Sequence, residues 1–228
     1  ELEAYSYSIA HDLRAPLRTI AGFSQVLRED AGHKFNEEEH VHFERIINAT
    51  SHMEELIDDI LELGRVSRSN LKRSEVDLSA LGKAAAEKAC LNKQTERNID
   101  WQIQEGMSTV GDKKLLGLLL DNLLSNACKY PSQKEQARIE FGCNHSGDNS
   151  VYFVRDNGAG FDMKYADKLF TPFSRLHSEH SFNGSGIGLA TVQRIVERHS
   201  GKVWAEGEVD KGACFYFTLG ETINSRLI

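Results

Sequence analysis

Asp156 ends an apolar run, Val151-Tyr152-Phe153-Val154-Arg155, and leads into Asn157-Gly158-Ala159-Gly160-Phe161-Asp162. A carboxylate at a strand end can accept a hydrogen bond from an adenine amino group. Gly158 and Gly160 let the backbone turn sharply and come close to a ring. Further on, Gly184-Ser185-Gly186-Ile187-Gly188-Leu189-Ala190 opens a helical pattern. Free N–H groups at a helix N-terminus attract phosphate. Upstream, Asn122 and Asn126 lie four apart on one predicted helix and share a face, with Lys129 nearly on it. The Asn126 amide oxygen suits a hard cation such as magnesium, which takes oxygen ligands and keeps waters. Lys129 can neutralise phosphate charge, and Tyr130 can lie against a base. Between the glycine-bearing segments, residues 162–183, which include Phe170 and Phe173, lack a regular apolar period and read as a lid. Alone, each signal is weak. Asp-Asn-Gly suits a surface turn, a glycine triplet is common, paired Asn can merely cross-link helices, and Phe170 and Phe173 suit core packing.

A second chemistry stands near the N-terminus, in Ser8-Ile9-Ala10-His11-Asp12-Leu13-Arg14-Ala15-Pro16-Leu17-Arg18. A neutral imidazole is a nucleophile near pH 7. Periodicity puts His11 beside an apolar stripe and away from its centre, so exposure is expected. Pro16 removes the backbone bond to the Asp12 carbonyl and should kink the helix there. A lone helical His is more often structural or solvated.

The elements that must position these groups follow from hydrophobic period. Leu2, Tyr5, Ile9, Leu13, Leu17, Ile20, Phe23 and Leu27 recur at helical spacing. Gly32 reads as a C-terminal breaker. Asn36 before three glutamates reads as an N-cap, with acids where the helix dipole favours them. A second stripe runs from Phe43 through Ile46, Ile47, Met53, Leu56, Ile57, Ile60, Leu61 and Leu63. The result is a helical hairpin, residues 1–66, whose stripes call for a second copy and a four-helix bundle, with Leu17 and Leu61 expected in its core. Residues 67–75 read as a linker. In 76–220, strands at Val76–Leu78, Ile99–Ile103, Arg138–Cys143 and Val151–Arg155 interleave with helices at Ser79–Leu91, capped by Ser79, at Asp112–Tyr130 and at Gly186–His199. A hairpin of Lys202–Glu206 and Ala213–Leu219 closes the domain around Asp210-Lys211-Gly212. That order predicts an α/β sandwich. Residues 221–228 read as a tail, and the class overall is α+β.

Bulk properties narrow the function. The chain has 228 residues, 40% hydrophobic and 27% charged, with net charge -7, which disfavours nucleic acid. No apolar run reaches the roughly 18 residues of a membrane span, so no direct membrane contact is expected of this segment. Starting at Glu1 within a helical pattern, it reads as a cytoplasmic piece of a longer protein. The spacing of Cys90, Cys128, Cys143 and Cys214 matches neither a zinc site nor a redox pair. Cys128 and Cys214 fall in apolar patterns and read as packed thiols. His40/His42 and His177/His180 lack a completing carboxylate or thiolate and read as surface side chains.

The succession of helix-borne asparagines, DNGAGFD and GSGIGLA resembles the Bergerat-type ATP pocket of sensor histidine kinases, type II topoisomerases, heat-shock chaperones and mismatch-repair ATPases. The SIAHDLRAPLR stretch resembles the phospho-acceptor motif of sensor histidine kinases, most like the phytochrome-type, cytosolic-sensor members. The resemblance implies that His11 is phosphorylated and that Asp12 accepts its proton. It implies that Asp156 reads adenine and Asn126 binds Mg2+. Asn122, Lys129, Tyr130, Gly158, Gly160, Arg175, Gly184, Gly186, Gly188 and Leu189 complete the ATP site. It further implies a homodimer that passes the phosphoryl group to a response-regulator receiver domain. Many relatives carry Thr or Asn where this chain has Ala15, four residues after the His, a position that supports phosphatase activity. The competing readings are an ATP-driven conformational clamp, whose families lack a His-bearing hairpin ahead of the ATP domain, and a dimerisation module shaped by nucleotide without kinase activity.

Overall fold

The computed structural model describes residues 2–68, 70–91, 99–129, 136–146, 149–174 and 185–220. They divide into two units, Glu1–Arg65 and Val66–Ile228.

The first unit is the helical hairpin. Helix α1 spans Leu2–Ala31 and continues through Pro16; α2 spans Glu37–Arg68. Gly32 does not take the left-handed conformation of a C-terminal breaker. Instead α1 tightens into a 3-10 turn over Gly32–Lys34, closed by the Phe35 N–H on the Gly32 carbonyl at 3.1 Å. Asn36 caps α2 through a reciprocal box. Its side-chain oxygen accepts from the Glu39 N–H at 2.9 Å, and Glu39 accepts from the Asn36 N–H at 2.8 Å. Such a cap contributes about 1 kcal/mol.

The α1 stripe divides between two faces. Leu17, 5% exposed, packs with Ala10, Ile57 and Leu61 inside the hairpin. Arg14 and Asp58 pair at 2.5 Å across the two helices. Leu13, Ile20, Phe23 and Leu27 on α1 stay exposed, as do Ile46 and Met53 on α2. Leu17 and Leu61, expected in a bundle core, are thus buried within one chain, and the spacing of seven from Leu13 to Ile20 to Leu27 marks the unpartnered face.

The second unit contains strand β1 (Arg73–Asp77), helix α3 (Leu78–Leu91), strands β2 (Ile99–Ile103) and β3 (Ser108–Asp112), and helix α4 (Lys113–Lys129). Strands β4 (Ala137–Ser146) and β5 (Asn149–Asp156), helix α5 (Gly188–Arg198) and strands β6 (Val203–Glu208) and β7 (Gly212–Thr218) follow. The main sheet has the order β2-β4-β5-β7-β6, with β2 and β4 parallel and the other pairs antiparallel; β1 and β3 form a separate antiparallel pair. One sheet face, with Ile139, Phe141, Val154, Phe215 and Phe217, packs on Leu116, Leu119, Leu120, Leu123 and Leu124 of α4 and on Val192, Ile195 and Val196 of α5. Each such buried side chain contributes about 1.5–3 kcal/mol of transfer free energy.

Three local readings change. The strand expected over Val76–Leu78 is β1, Arg73–Asp77, and Leu78 opens α3. Asp77, not Ser79, caps α3, accepting from the Ala80 N–H at 2.9 Å. Ser79 is buried, donates to the Gln104 carbonyl at 2.7 Å and accepts from the Met107 N–H at 2.9 Å. Strand β3 has no counterpart in the sequence reading, because its five residues Ser-Thr-Val-Gly-Asp lack an apolar alternation. It ends in a cap: Asp112 accepts from Lys114 N–H and Leu115 N–H at 3.0 and 3.2 Å through one oxygen, and from Lys72 N–H at 2.9 Å through the other. Burial opposes the Asp112 charge, yet these N–H groups hold its carboxyl below the usual range. Asp112 N–H in turn donates to Nε2 of His199 at 3.0 Å, while Nδ1 of His199 lies 2.8 Å from the Ile195 carbonyl. That pairing requires a proton on Nδ1 and none on Nε2. Burial, the largest influence, lowers the His199 pKa and keeps the ring neutral.

Candidate active site

Asp156 is the last residue of β5. One of its carboxylate oxygens accepts from Gly158 N–H at 2.8 Å and lies 3.4 Å from Ala213 N. Burial drives its pKa up to about 6 against those two bonds. The carboxylate is thus fixed in place and poorly hydrated, which strengthens any hydrogen bond to a ligand donor. Asn157 staples the loop to β4, accepting from Arg138 N–H at 2.9 Å and donating to the Gln136 carbonyl at 3.0 Å.

The loop glycines divide their tasks. Gly158 is buried and donates to Asp156. Gly160 has φ +63, and a Cβ there would lie 1.9 Å from the Glu208 carbonyl oxygen. Within the fold its close approach is to the β6–β7 turn. Gly212 answers from the other side: with φ +109, its Cβ would fall 2.1 Å from the Asp156 carbonyl oxygen. Asp210 N–H completes the clasp on Ala159 O at 2.7 Å. The sequence marks Asp210-Lys211-Gly212 as a turn, but no local signal says that it holds the Asp156 loop.

Asn122 and Asn126 lie half-buried on α4, with exposed Lys129 in its last turn. Asn122 donates to the Leu118 carbonyl at 2.9 Å. Its side-chain oxygen would be 2.5 Å from a Cβ on Gly188, the first residue of α5. The asparagine face of α4 therefore abuts the α5 N-terminus. No side chain caps α5 among the described residues, so its first-turn N–H groups are suited to an anion. Leu189 packs on the core, leaving its backbone as the part available to a ligand. Gly186, at φ +72, accepts from Phe173 N–H at 3.0 Å. Phe170 packs on the core, whereas Phe173 is 60% exposed with φ 63. The two phenylalanines thus differ: Phe170 anchors the segment and Phe173 marks a strained bend beside Gly186. Cys128 lies near Asp156; burial first, then Cys90 and Asp156, raise its thiol to about 12.

Tyr130, Arg175 and Gly184 lie outside the described residues, as do His177 and His180 and the later part of the expected lid. His11 is carried by α1 in the other unit, and its side chain is likewise outside the described residues; Asp12 and Ala15 are exposed on the same helix. Among the described residues, no three His, Cys, Asp or Glu side chains gather as a metal cluster. Magnesium at this pocket would rely on the Asn126 amide oxygen, phosphate oxygens and water, a donor set that suits it. No described helix is long and apolar enough to cross a membrane.

Residues 2–68 match the family model for the His Kinase A (phospho-acceptor) domain. Residues 111–223 match that for the histidine kinase-, DNA gyrase B- and HSP90-like ATPase. The methanogenesis regulatory histidine kinase FilI of Methanothrix harundinacea is 36% identical over 96% of the chain, which spans 24% of that protein. Cyanobacterial phytochrome B of Nostoc sp. is 34% identical over 96% of the chain, which spans 29% of it. The adaptive-response sensory kinase SasA of Thermosynechococcus vestitus is 31% identical over 92% of the chain, which covers 58% of its length. Among solved structures, full-length ShkA in complex with AMPPNP superposes with TM-score 0.68 at 22% identity, over 95% of this chain and 45% of that one. Both modules and their order being matched, the chain belongs to the sensor histidine kinases, with a phospho-acceptor domain followed by a catalytic ATPase domain of Bergerat type.

Proposed function

We propose that this chain is the core of a sensor kinase that phosphorylates His11 from ATP-Mg and passes the phosphoryl group to an aspartate of a response-regulator receiver domain. The observation that carries the reading is the meeting of the α4 asparagine face with the uncapped α5 N-terminus, in a unit preceded by the His-bearing hairpin. Asp156 accepts from the adenine amino group. The N–H groups of Gly188 and Leu189 hold phosphate oxygens, and Lys129 offsets their charge. Asn122 positions the α5 N-terminus. Asn126 holds Mg2+, which polarises the phosphate when bound. Tyr130 is assigned to the base, Gly184 and Gly186 to the glycine box that receives phosphate, and Arg175 to the terminal phosphate.

His11 attacks the γ-phosphorus with one ring nitrogen; a P–N bond forms, the bond to the ADP oxygen breaks, and Asp12 accepts the proton from the other nitrogen. Attack by a receiver aspartate then breaks the P–N bond and forms an acyl phosphate. The chain works as a homodimer on the cytoplasmic side. Incubation with γ-labelled ATP tests this reading. The label should be acid-labile and alkali-stable, as phosphohistidine is, and should vanish in His11→Gln while ATP binding persists. Full labelling of that variant overturns it.

A further inference from the structure

The loop that begins at Asp156 is fastened, at its far end, to the last residues of β6. Gly160 lies against the Glu208 carbonyl, where no Cβ fits, and the Phe161 ring covers Gly207, 2.5 Å from the place of its missing Cβ. Phe161 is buried beside Phe215. Asp162 then turns the chain into a short 3-10 helix, Met163–Lys168, by accepting from Lys164 N–H at 3.0 Å. Met163 opens that helix and adds one more fastening, its Sδ accepting from Gly207 N–H at 3.3 Å. Strand β6 ends the main sheet, so that N–H has no further strand to bond, and the thioether, a weak acceptor, serves it instead. Ala166, Leu169 and Phe170, further along, pack on the core. Met163 differs from these neighbours in being open to solvent, 48% exposed against 5% for Phe161. The other two methionines of the chain are Met53, on the hairpin, and Met107, 4% exposed in the core.

We propose that Met163 is an oxidation site that controls the nucleotide loop: its conversion to the sulfoxide by hydrogen peroxide releases the loop end from β6 and weakens nucleotide binding. The peroxide transfers one oxygen to Sδ. Its O–O bond breaks, an S–O bond forms, the sulfur gives up two electrons, and the peroxide leaves as water. The product does not fit the latch. An N–H···O bond by itself occupies about 2.9 Å, so no oxygen enters between Sδ and the Gly207 nitrogen at 3.3 Å. The side chain must back out, and its new polar group turns to water. A sulfoxide reductase drawing two electrons from a dithiol returns the thioether, which makes the change reversible. The effect on nucleotide rests on the kinase reading above, because Gly160 and Phe161 belong to the loop that carries Asp156.

The test treats the full chain, with and without Met163→Leu, with hydrogen peroxide and then with dithiothreitol, which reduces cysteine disulfides and sulfenic acids but leaves sulfoxides. Peptide mass spectrometry reads oxidation at each methionine. Amide hydrogen exchange reads residues 160–168 and 205–208, and calorimetry reads the Kd for ADP. Met163 should be oxidised well before Met107. Exchange in both segments should then quicken, and the Kd should rise about threefold or more, as for the loss of one hydrogen bond. A sulfoxide reductase should restore both. Met163→Leu keeps the apolar contact and has no sulfur to oxidise, so its exchange and Kd should not respond to peroxide. Oxidation of Met107 as fast as Met163, unchanged exchange or Kd in the oxidised chain, or an equal peroxide response in Met163→Leu overturns the proposal. If the untreated chain binds no ADP, the nucleotide reading fails instead, and the exchange measurement still reports whether oxidation opens the latch.

Discussion

The side-chain oxygen of Asn122 occupies the space that a methyl group on Gly188 would need, 2.5 Å from the position of the missing Cβ. One residue closes the gap between α4 and α5, and its neighbour must be glycine for the gap to close. Asn122 is tied back to Leu118, so it cannot swing aside freely. Gly188→Ala should introduce about 1–3 kcal/mol of strain and weaken ADP binding. Asn122→Ala/Gly188→Ala removes the clash, so the two changes should be less than additive in urea stability. Both tryptophans, Trp101 and Trp204, lie in the catalytic unit, and their fluorescence follows its unfolding. Strict additivity would show that the contact is relieved elsewhere.

Asp156 gives the site a pH dependence. Its folded pKa, about 6, stands above the ordinary 3.8. As pH falls through about 6 the carboxyl gains a proton and loses its charge as an acceptor. Adenosine has no phosphate to titrate, and its affinity should drop about tenfold per unit below that point. Stability moves the other way for this group: the buried charge costs stability above pH 6, and that cost is relieved as pH falls toward 3.8. Asp156→Asn should bind adenosine more weakly by about 1.5–3 kcal/mol and with a flat profile from pH 5 to 7.5. Calorimetry at several pH values checks both, and a flat profile in the unchanged chain argues against the role.

The hairpin should dimerise through its exposed stripe. Ile20→Glu or Phe23→Glu charges a face that the single chain leaves open, Phe23 being 68% exposed, and should yield a folded, helical monomer in sedimentation. Leu17→Ala empties a site inside the hairpin and should cost about 2–5 kcal/mol of stability. Dissociation by Leu17→Ala with no effect of Ile20→Glu would reverse the assignment of faces.

Ala15 has no side-chain polar atom to hold a water for attack on an acyl phosphate. It is exposed on α1, one turn beyond His11 along the helix. Strong kinase and weak phosphatase activity toward the regulator should result. Ala15→Thr should speed decay of purified phospho-regulator in the presence of ADP. Rapid decay with the unchanged chain, unaltered by the substitution, would count against this reading.

Much of this molecule is visible in local sequence because its causes are local. The reciprocal cap of Asn36 and Glu39, the long apolar period of α1 and α2, and the Leu-rich face of α4 each depend on neighbours within a turn or two. The ordered Asn, Asp and Gly boxes carry the family resemblance for the same reason, since each box is a short run serving one part of a ligand. Tertiary structure decided the rest. Hydrophobic period gives one stripe on α1, but only packing against Ile57 and Leu61 tells Leu17 from Ile20. The glycine of Gly160 is legible as a turn, whereas its reason, the carbonyl of Glu208, comes from a strand nearly fifty residues later. Asp112 and His199 look like an ordinary helix start and helix end until the fold joins them by a buried hydrogen bond. These long-range contacts answer to a common requirement: buried polar groups and close backbone approaches must be satisfied by whatever the fold brings near, and no local pattern of residues records which group that will be.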